Sequence, residues 1–417
     1  MSQSIRTQLL IVGGGPAGMM LGLLMARAGV NVVVLEKHGD FLRDFRGDTV
    51  HPSTLEVIYE LGLLEEFLKR PHQQLRELAG VIGGVDVKIA DFSHVPTHCK
   101  FIALMPQWDF LDFLAGQAKR YANFRLLMET EATQLIEDGG RIAGVVADGP
   151  QGPLELRADL VVACDGRHSL MREQAQLPLI EFGVPIDVLW MKLSKSPADS
   201  PTTLGRIGAG AIFVTLDRGD YWQCAFVIAK GGADTLHALG LEAFRRSIVK
   251  VAPPFADRVA ELQDWDQIRL LTVKVNRLRE WCRPGLLCIG DAAHAMSPVG
   301  GIGINLAIQD AVATANILAP IIARGVPSLD DLKRVQQRRE FPTRMTQKLQ
   351  MAVQNNVMKK MLALTENPKP PYAVRLLNRF PILRRIPARV VGIGFRPEHV
   401  HSPVAAKPIA AEAVAAE

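Results

Sequence analysis

An α/β fold with an inserted antiparallel β-sheet and a helical C-terminal segment is what this 417-residue sequence predicts. Three observations lead there. A glycine turn, "IVGGGPAG" at residues 11 to 18, stands between an apolar run and a helical pattern. A second glycine-rich loop, "GDAAHAMSPVGGIGINLAIQDA" at 290 to 311, follows another apolar run far along the chain. Between them, from about 180 to 280, short β-rich runs such as "AGAIFVTLD" and "DYWQCAFVIAK" alternate with turn residues.

The elements follow in order. Leu9 to Val12 is continuously apolar, as a strand covered on both faces should be. The next pattern is helical, with Met20, Leu23, Leu24 and Ala28 on one face, and closes at Gly29. Val32 to Leu35 is a second buried strand ending at Glu36, which completes a βαβ unit. Residues 46 to 64 predict a loop and a helix capped by Ser53 or Thr54, and residues 80 to 104 a few strands. A helix and strand follow Gln107, then a hairpin turning at Gly149 to Gly152 and a buried strand over Leu160 to Ala163. The β-rich insert contains one helix near 240 to 252. After a strand over Leu286 to Ile289 come helices over 303 to 323 and 328 to 364, then proline-punctuated chain.

The resulting division is 1–80, 107–178 and 282–327 for three parts of a Rossmann-like nucleotide-binding domain. Residues 81–106 and 179–281 supply the strands of a substrate domain. Residues 328–400 form a basic helical segment and 401–417 a disordered tail, low in complexity.

Hydrophobic residues at 48% and charged residues at 22% suit a packed globular protein. Five scattered cysteines without a C-x-x-C pair argue for a reducing compartment and against zinc or a disulfide framework. The first apolar run is too short for a signal peptide, and no run reaches the ~18 residues of a membrane span. A cytoplasmic protein, monomer or homodimer, with no nucleic-acid partner is expected. The net charge of +5 is uneven: residues 332 to 400 hold fifteen Lys or Arg against three Glu. That segment includes "LNRFPILRRIPARVVGIGF", whose composition suits a peripheral contact with anionic lipid. Packing on the acidic body or a subunit contact is the alternative, and Pro381, Pro387 and Pro397 break any long amphipathic helix.

The glycines carry chemistry. Gly13 permits the turn, Gly15 lets backbone amides approach a pyrophosphate, and Gly18 allows helix to pack on strand. Glu36, at the end of the next strand, would accept from both ribose hydroxyls and repel a 2′-phosphate, so the resident nucleotide is FAD or NAD rather than NADP. In the later loop Asp291 follows a strand directly and suits a polyol hydroxyl. Pro298, Gly300, Gly301 and Gly303 lead into a helix whose amides would stabilise negative charge.

The ordered set "GGGPAG", Glu36, Arg46, Gln107, "ACDGRHSLMR" and "GDAAHAMSPVGGIGIN" resembles the FAD-dependent aromatic hydroxylases of the para-hydroxybenzoate hydroxylase type. The resemblance implies one FAD served by both glycine loops. It places Gly13, Gly15, Ala17, Gly18, Glu36 and Lys37 at the ADP half, Arg46 and Gln107 near phosphate and ribityl, and Asp165, Gly166 and Arg167 at FAD and nicotinamide. It sets Asp291 at the ribityl chain, and Gly301, Ile304 and Asn305 at the isoalloxazine. Pro298 and Gly300 are implied on the oxygen-transfer side. The implied reaction reduces FAD with NADH or NADPH, adds O2 to give a C4a-hydroperoxyflavin, and hydroxylates a small phenolic or heteroaromatic substrate. A reductase or dehydrogenase of the same fold, or a non-catalytic flavin-binding protein, is the alternative. Candidate substrate residues are Trp190, Arg206, Phe213, Tyr221 and Gln223. Strand alternation sets Tyr221 and Gln223 opposite Trp222 and Cys224 without saying which face meets the flavin. His294 is given no catalytic role.

Overall fold

The computed structural model describes residues 3–42, 49–199 and 204–408. A parallel sheet runs in the order Leu286–Cys288, Gly152–Ala163, Gln3–Val12, Val32–Leu35, Phe124–Leu127. Leu9, Leu10, Ile11, Val33 and Val34 are all buried because layers cover both faces of the sheet. The first helix, Pro16–Arg27, packs against helices Gln107–Lys119 and Gly303–Ile322. Gly29, with φ of 83°, follows its last turn. The hairpin Glu131–Asp138 and Arg141–Gly149 pairs with the first half of Gly152–Ala163, leaving the second half for Leu286–Cys288.

The second sheet has the order Arg269–Leu271, Ile186–Ser194, Tyr221–Ala229, Ala211–Asp217, Leu204–Gly208, Glu77–Ile82, Val85–Asp91. It is antiparallel except between Leu204–Gly208 and Glu77–Ile82, a parallel junction that pure hairpin logic does not foresee. Gly80 permits it, since a Cβ there would lie 2.4 Å from the Gly205 carbonyl oxygen. Not all of 81–106 joins this sheet. Ile102–Leu104 pairs instead with Thr49–Val50 and Gln73–Leu75.

Side-chain alternation gives the second sheet two distinct faces. Leu189, Met191, Phe213, Trp222, Cys224 and Phe226 pack under helix Leu241–Val251, against Phe244, Ile248 and Phe255. Val188, Trp190, Ile212, Val214, Ala225 and Val227 look the other way, toward Val299 and Met361.

Three local expectations shift. The helix Pro52–Glu60 is capped by His51 with Pro52 first, so Ser53 and Thr54 fall within its first turn. The long C-terminal helix, Leu329–Val353, opens on a Ser328–Asp331 capping box but gives way to a π-turn over Gln354–Met358 before Lys359–Leu362. Residues 401–406 of the expected disordered tail are hydrogen-bonded to the body. His401 N–H donates to Asn316 Oδ1 (2.8 Å), and the amides of Ala405 and Ala406 take the open carbonyl of Arg27 at the end of the first helix (3.0 and 3.1 Å). Residues 409–417 lie outside the described ones.

Candidate active site

Three loops meet at the carboxyl ends of the parallel strands. Gly13 N–H donates to Leu35 O (2.8 Å), Cys164 N–H to Val12 O (2.7 Å) and Ile289 N–H to Ala163 O (3.1 Å). In an open α/β sheet this edge is where a ligand crevice opens. Gly13 has φ of 105°, and a Cβ there would sit 2.5 Å from Cys164 O. A Cβ on Gly18 would sit 2.0 Å from Gly13 O, so both glycines are needed for the turn itself. Gly15, at the N-cap of the first helix, has open space where its Cβ would project. Ala17 is buried beside Gly290, tying the first loop to the third.

Glu36 is held against the glycine loop. Its Oε2 accepts from Gly14 N–H (3.1 Å) and its Oε1 from His38 N–H (3.1 Å). Lys37 forms a surface ion pair with Glu131 at 3.5 Å. Arg46 lies outside the described residues. Gln107 is half-buried as the first residue of its helix.

In the second loop half-buried Asp165 follows the strand that ends at Ala163. One carboxylate oxygen accepts from Met171 N–H (3.2 Å), and the other is buried with no hydrogen-bond partner. Burial raises its pKa, partly offset by Ser169 and Met171. Gly166 (φ 83°) borders open space, and the Arg167 guanidinium lies 3.7 Å from Asp291, bringing second and third loops together. These features fit FAD. Open space over a helix N-terminus suits a pyrophosphate, while the unpaired Asp165 oxygen and partly exposed Asp291 suit hydroxyl donors.

Behind the third loop is a buried charge network. Asp310 accepts from Gly290 N–H (3.0 Å) and Arg339 Nε (2.9 Å), and contacts His294 Nε2 at 2.6 Å. Burial pushes the Asp310 pKa up, but His294 and Arg339 outweigh it and hold the carboxyl below its ordinary value. Arg339 also pairs with Glu398 (3.2 Å). His294 is therefore locked into the scaffold.

Residues 296 to 305 form the other wall. Gly300 (φ 79°) and Gly301 (φ 62°) make a turn in which Gly301 N–H donates to Pro298 O (3.0 Å). A Cβ on Gly301 would lie 2.2 Å from Thr49 Oγ1, which donates to Gly301 O (2.8 Å). Ile304 is half-buried against the core. The Asn305 side chain is fully engaged within the protein. Its carbonyl accepts from His51 N–H and Thr54 Oγ1, and its amide donates to Thr49 O and Gly301 O. That side chain shapes the turn, so any approach of this residue to a ring would be made by its backbone.

Sequence reasoning missed two further groups. Gln347, Gln350 and Gln354 form a buried ladder on the long helix. Gln350 accepts from Ser297 N–H (3.2 Å) and donates to Ser297 O (3.0 Å) and Val299 O (2.9 Å), while Gln354 donates to Ser297 Oγ. Their spacing of three and four was the available signal. His51 is the second. Fully buried, it contacts Val391 O through Nδ1 (2.8 Å) and leaves Nε2 without a hydrogen-bond partner. Burial lowers its pKa to about 4, against smaller opposing contributions from the Val391 and Gly300 backbone.

The substrate candidates divide. Trp190 shares an apolar cluster with Val299 of the wall loop. Tyr221 and Gln223 are on that same face by alternation, with Lys192 over the Tyr221 ring (5.0 Å) and Arg218 Nε donating to Gln223 (3.1 Å). Phe213 is a correction, being buried on the opposite face against Phe255. Arg206, directly across from Phe213, joins Lys250 and Pro253 in lining a depression on that side, so it too leaves the site.

Residues 6–348 match the family described as FAD binding domain. The chain belongs to that family. It is an FAD-dependent oxidoreductase of the aromatic-monooxygenase type. It is similar to the 6-methylpretetramide 4-monooxygenase of Streptomyces rimosus, at 32% identity over 386 residues and 92% of each chain. Similarity to the dialkyldecalin synthase of Streptomyces rugosporus, 26% over 327 residues, covers 73% of this chain and 63% of that longer protein. The solved structure of p-nitrophenol 4-monooxygenase PnpA from Pseudomonas putida DLL-E4 shares the fold. Its TM-score is 0.72 at 21% identity, over 93% of this chain and 96% of that one.

Proposed function

We propose that this enzyme uses NADH or NADPH and O2 to hydroxylate a small aromatic substrate held between the second sheet and the Pro298–Gly301 turn. The observation that carries this reading is the apolar face of Trp190, Val214 and Ala225 meeting Val299, immediately before the paired glycines. A planar, apolar ring suits such a slot, and Tyr221, Gln223 and the nearby cations Lys192 and Arg218 suit a phenolic oxygen at its rim. The named activities on 6-methylpretetramide and para-nitrophenol support a phenolic ring as the substrate class.

FAD, when bound, supplies the redox chemistry with nicotinamide and oxygen. The protein supplies position. Gly13, Gly15 and Gly18 would let backbone amides approach the pyrophosphate, Asp165 and Asp291 would offer acceptors to hydroxyls, and the helix entry at Ile302 and Gly303 would offer amides to negative charge. The glutamine ladder keeps that turn fixed while the sheet excludes water above it.

The test is NAD(P)H oxidation by flavin-loaded enzyme against a panel of phenols and polycyclic phenols, with and without oxygen. Expected is oxidation accelerated by one compound class, oxygen uptake, and a product heavier by one oxygen atom. Oxygen-independent turnover, or product formation without NAD(P)H consumption, would replace the hydroxylase reading with a reductase or a non-redox one.

A further inference from the structure

Residues 372–389 present a surface unlike the rest of the molecule. Tyr372, Phe380, Ile382 and Ile386 are 73%, 50%, 65% and 63% exposed, and Leu376 is exposed beside them. Helix Tyr372–Arg379 buries none of its residues. Tyr372, Leu376 and Phe380 recur every fourth position on one outward stripe. The helix is fastened by polar contacts instead. Asn378 accepts from Lys88 N–H (2.8 Å) and donates to Asp86 O (3.0 Å), and Arg384 donates to the Leu377 and Asn378 carbonyls. Val374 and Leu377 are half-buried beside Asn378, so the helix carries apolar side chains on its inner side and leaves a second apolar stripe facing solvent.

The charge within this segment is of one sign, with Asp86 and Asp91 of the strand beneath it as the neighbouring acids. Residues 372–389 contain five Arg and no acid. Arg375, Arg379 and Arg389 have no carboxylate partner among the described residues, and Arg375 lies over the Tyr372 ring (5.7 Å). A two-fold contact between copies would set arginines against arginines with nothing to neutralise them. An anionic bilayer matches both properties, offering phosphates to the guanidinium groups and an acyl boundary to the ring and the isoleucines. The segment also lies beyond residues 6–348 matched by the FAD-binding family.

We propose that this surface docks the enzyme on an anionic lipid bilayer, with Tyr372, Leu376, Phe380, Ile382 and Ile386 entering the headgroup region and Arg375, Arg379 and Arg389 meeting lipid phosphates. The experiment is co-sedimentation of the full flavin-loaded protein with phosphatidylcholine vesicles, with and without phosphatidylglycerol, at low and high salt. Expected is binding to the phosphatidylglycerol vesicles that salt weakens. Substituting Arg375, Arg379 and Arg389 by Ala together should lower partitioning on the order of 100-fold, about fivefold per arginine. Ile382→Asp with Ile386→Asp should abolish binding. Melting temperature and flavin content report that these variants stay folded. Equal binding to both vesicle types, or binding that survives the Ile substitutions, overturns the proposal. So does dimerisation through this face, or capture of an acidic protein, without vesicle binding.

Discussion

Asp165 is half-buried, with one carboxylate oxygen paired to Met171 N–H and the other enclosed without a hydrogen-bond partner, next to Gly166, which borders open space. A scaffold residue would have both oxygens satisfied. Asp165→Asn keeps the volume and removes the burial cost of the charge, so stability without cofactor should hold or rise. FAD affinity should fall by about 1–3 kcal/mol, because an amide donor would face a hydroxyl donor. Fluorescence titration of the flavin reads the affinity, and unchanged affinity would return Asp165 to a purely structural role. His51 gives a pH prediction. Its folded pKa of about 4 lies below its ordinary 6.5, so between those values the unfolded chain binds a proton that the folded chain does not. Stability is full above about pH 6.5 and declines as pH falls through the window, by about 3 kcal/mol at pH 4. Denaturant unfolding at neutral pH and pH 4 should show a loss that His51→Gln largely removes. A wild-type protein equally acid-sensitive to the variant would mean that burial of His51 costs nothing. The contrast with Gly13 and Gly18 explains what the sequence could reveal. Both sit in a local strand–turn–helix pattern, and Gly18 answers to Gly13 five residues away, whereas His51 acquires its environment from Val391 and Asn305.

Among elements, the helix Leu329–Val353 does more for the site than its helical periodicity suggests. Gln350 meets three backbone groups of Ser297 and Val299, so Gln350→Leu would leave them unpaired at about 1–3 kcal/mol each before relaxation. A melting-temperature fall with weakened FAD binding is expected. Normal FAD affinity in a destabilised variant would show that the ladder supports the fold but not the turn. About three turns earlier, Arg339→Met takes a buried cation from both Asp310 and Glu398, leaving them to His294 and Arg338, and unfolding free energy should drop by about 3–5 kcal/mol. Legibility at this scale follows where the apolar side chains point. Leu9 to Val12 and Leu286 to Cys288 read as strands because they are uniformly apolar and covered. The π-turn at Gln354 was hidden because its helical pattern continues unbroken through it. The capped end of Pro52–Glu60 was misjudged because Pro52 suits the first helical position, moving the cap to a residue with no capping side chain.

At the scale of the molecule, neither half is a contiguous stretch of chain. The parallel sheet takes strands from residues 3–12, 32–35, 124–127, 152–163 and 286–288, and the second sheet interleaves 77–91 with 186–271. The C-terminal segment then closes over both: Asn378 reaches strand Val85–Asp91, Val391 reaches His51, Glu398 reaches Arg339, and Ala405 reaches the end of the first helix. The charge imbalance made this segment conspicuous in the sequence, but its attachments are tertiary, polar contacts together with Ala388, Val391 and Ile393 packed on Phe92, and composition does not encode them. Such interleaving ties the folding of each part to the others. Ending the chain after residue 281 would remove strand Leu286–Cys288, the third loop and helix Gly303–Ile322, which packs against the first helix. The glycine turn at 13 to 18 would survive in sequence but lose its neighbour Gly290. Such a truncated chain should therefore be insoluble or unfolded and bind no FAD, although it retains the first two cofactor loops. For the full chain, FAD at a hundredfold excess over its dissociation constant should stabilise the fold by about 2.7 kcal/mol, seen as a rise in melting temperature. A truncated chain that melts cooperatively and responds to FAD in the same way would show that the nucleotide half folds independently, against the topology described.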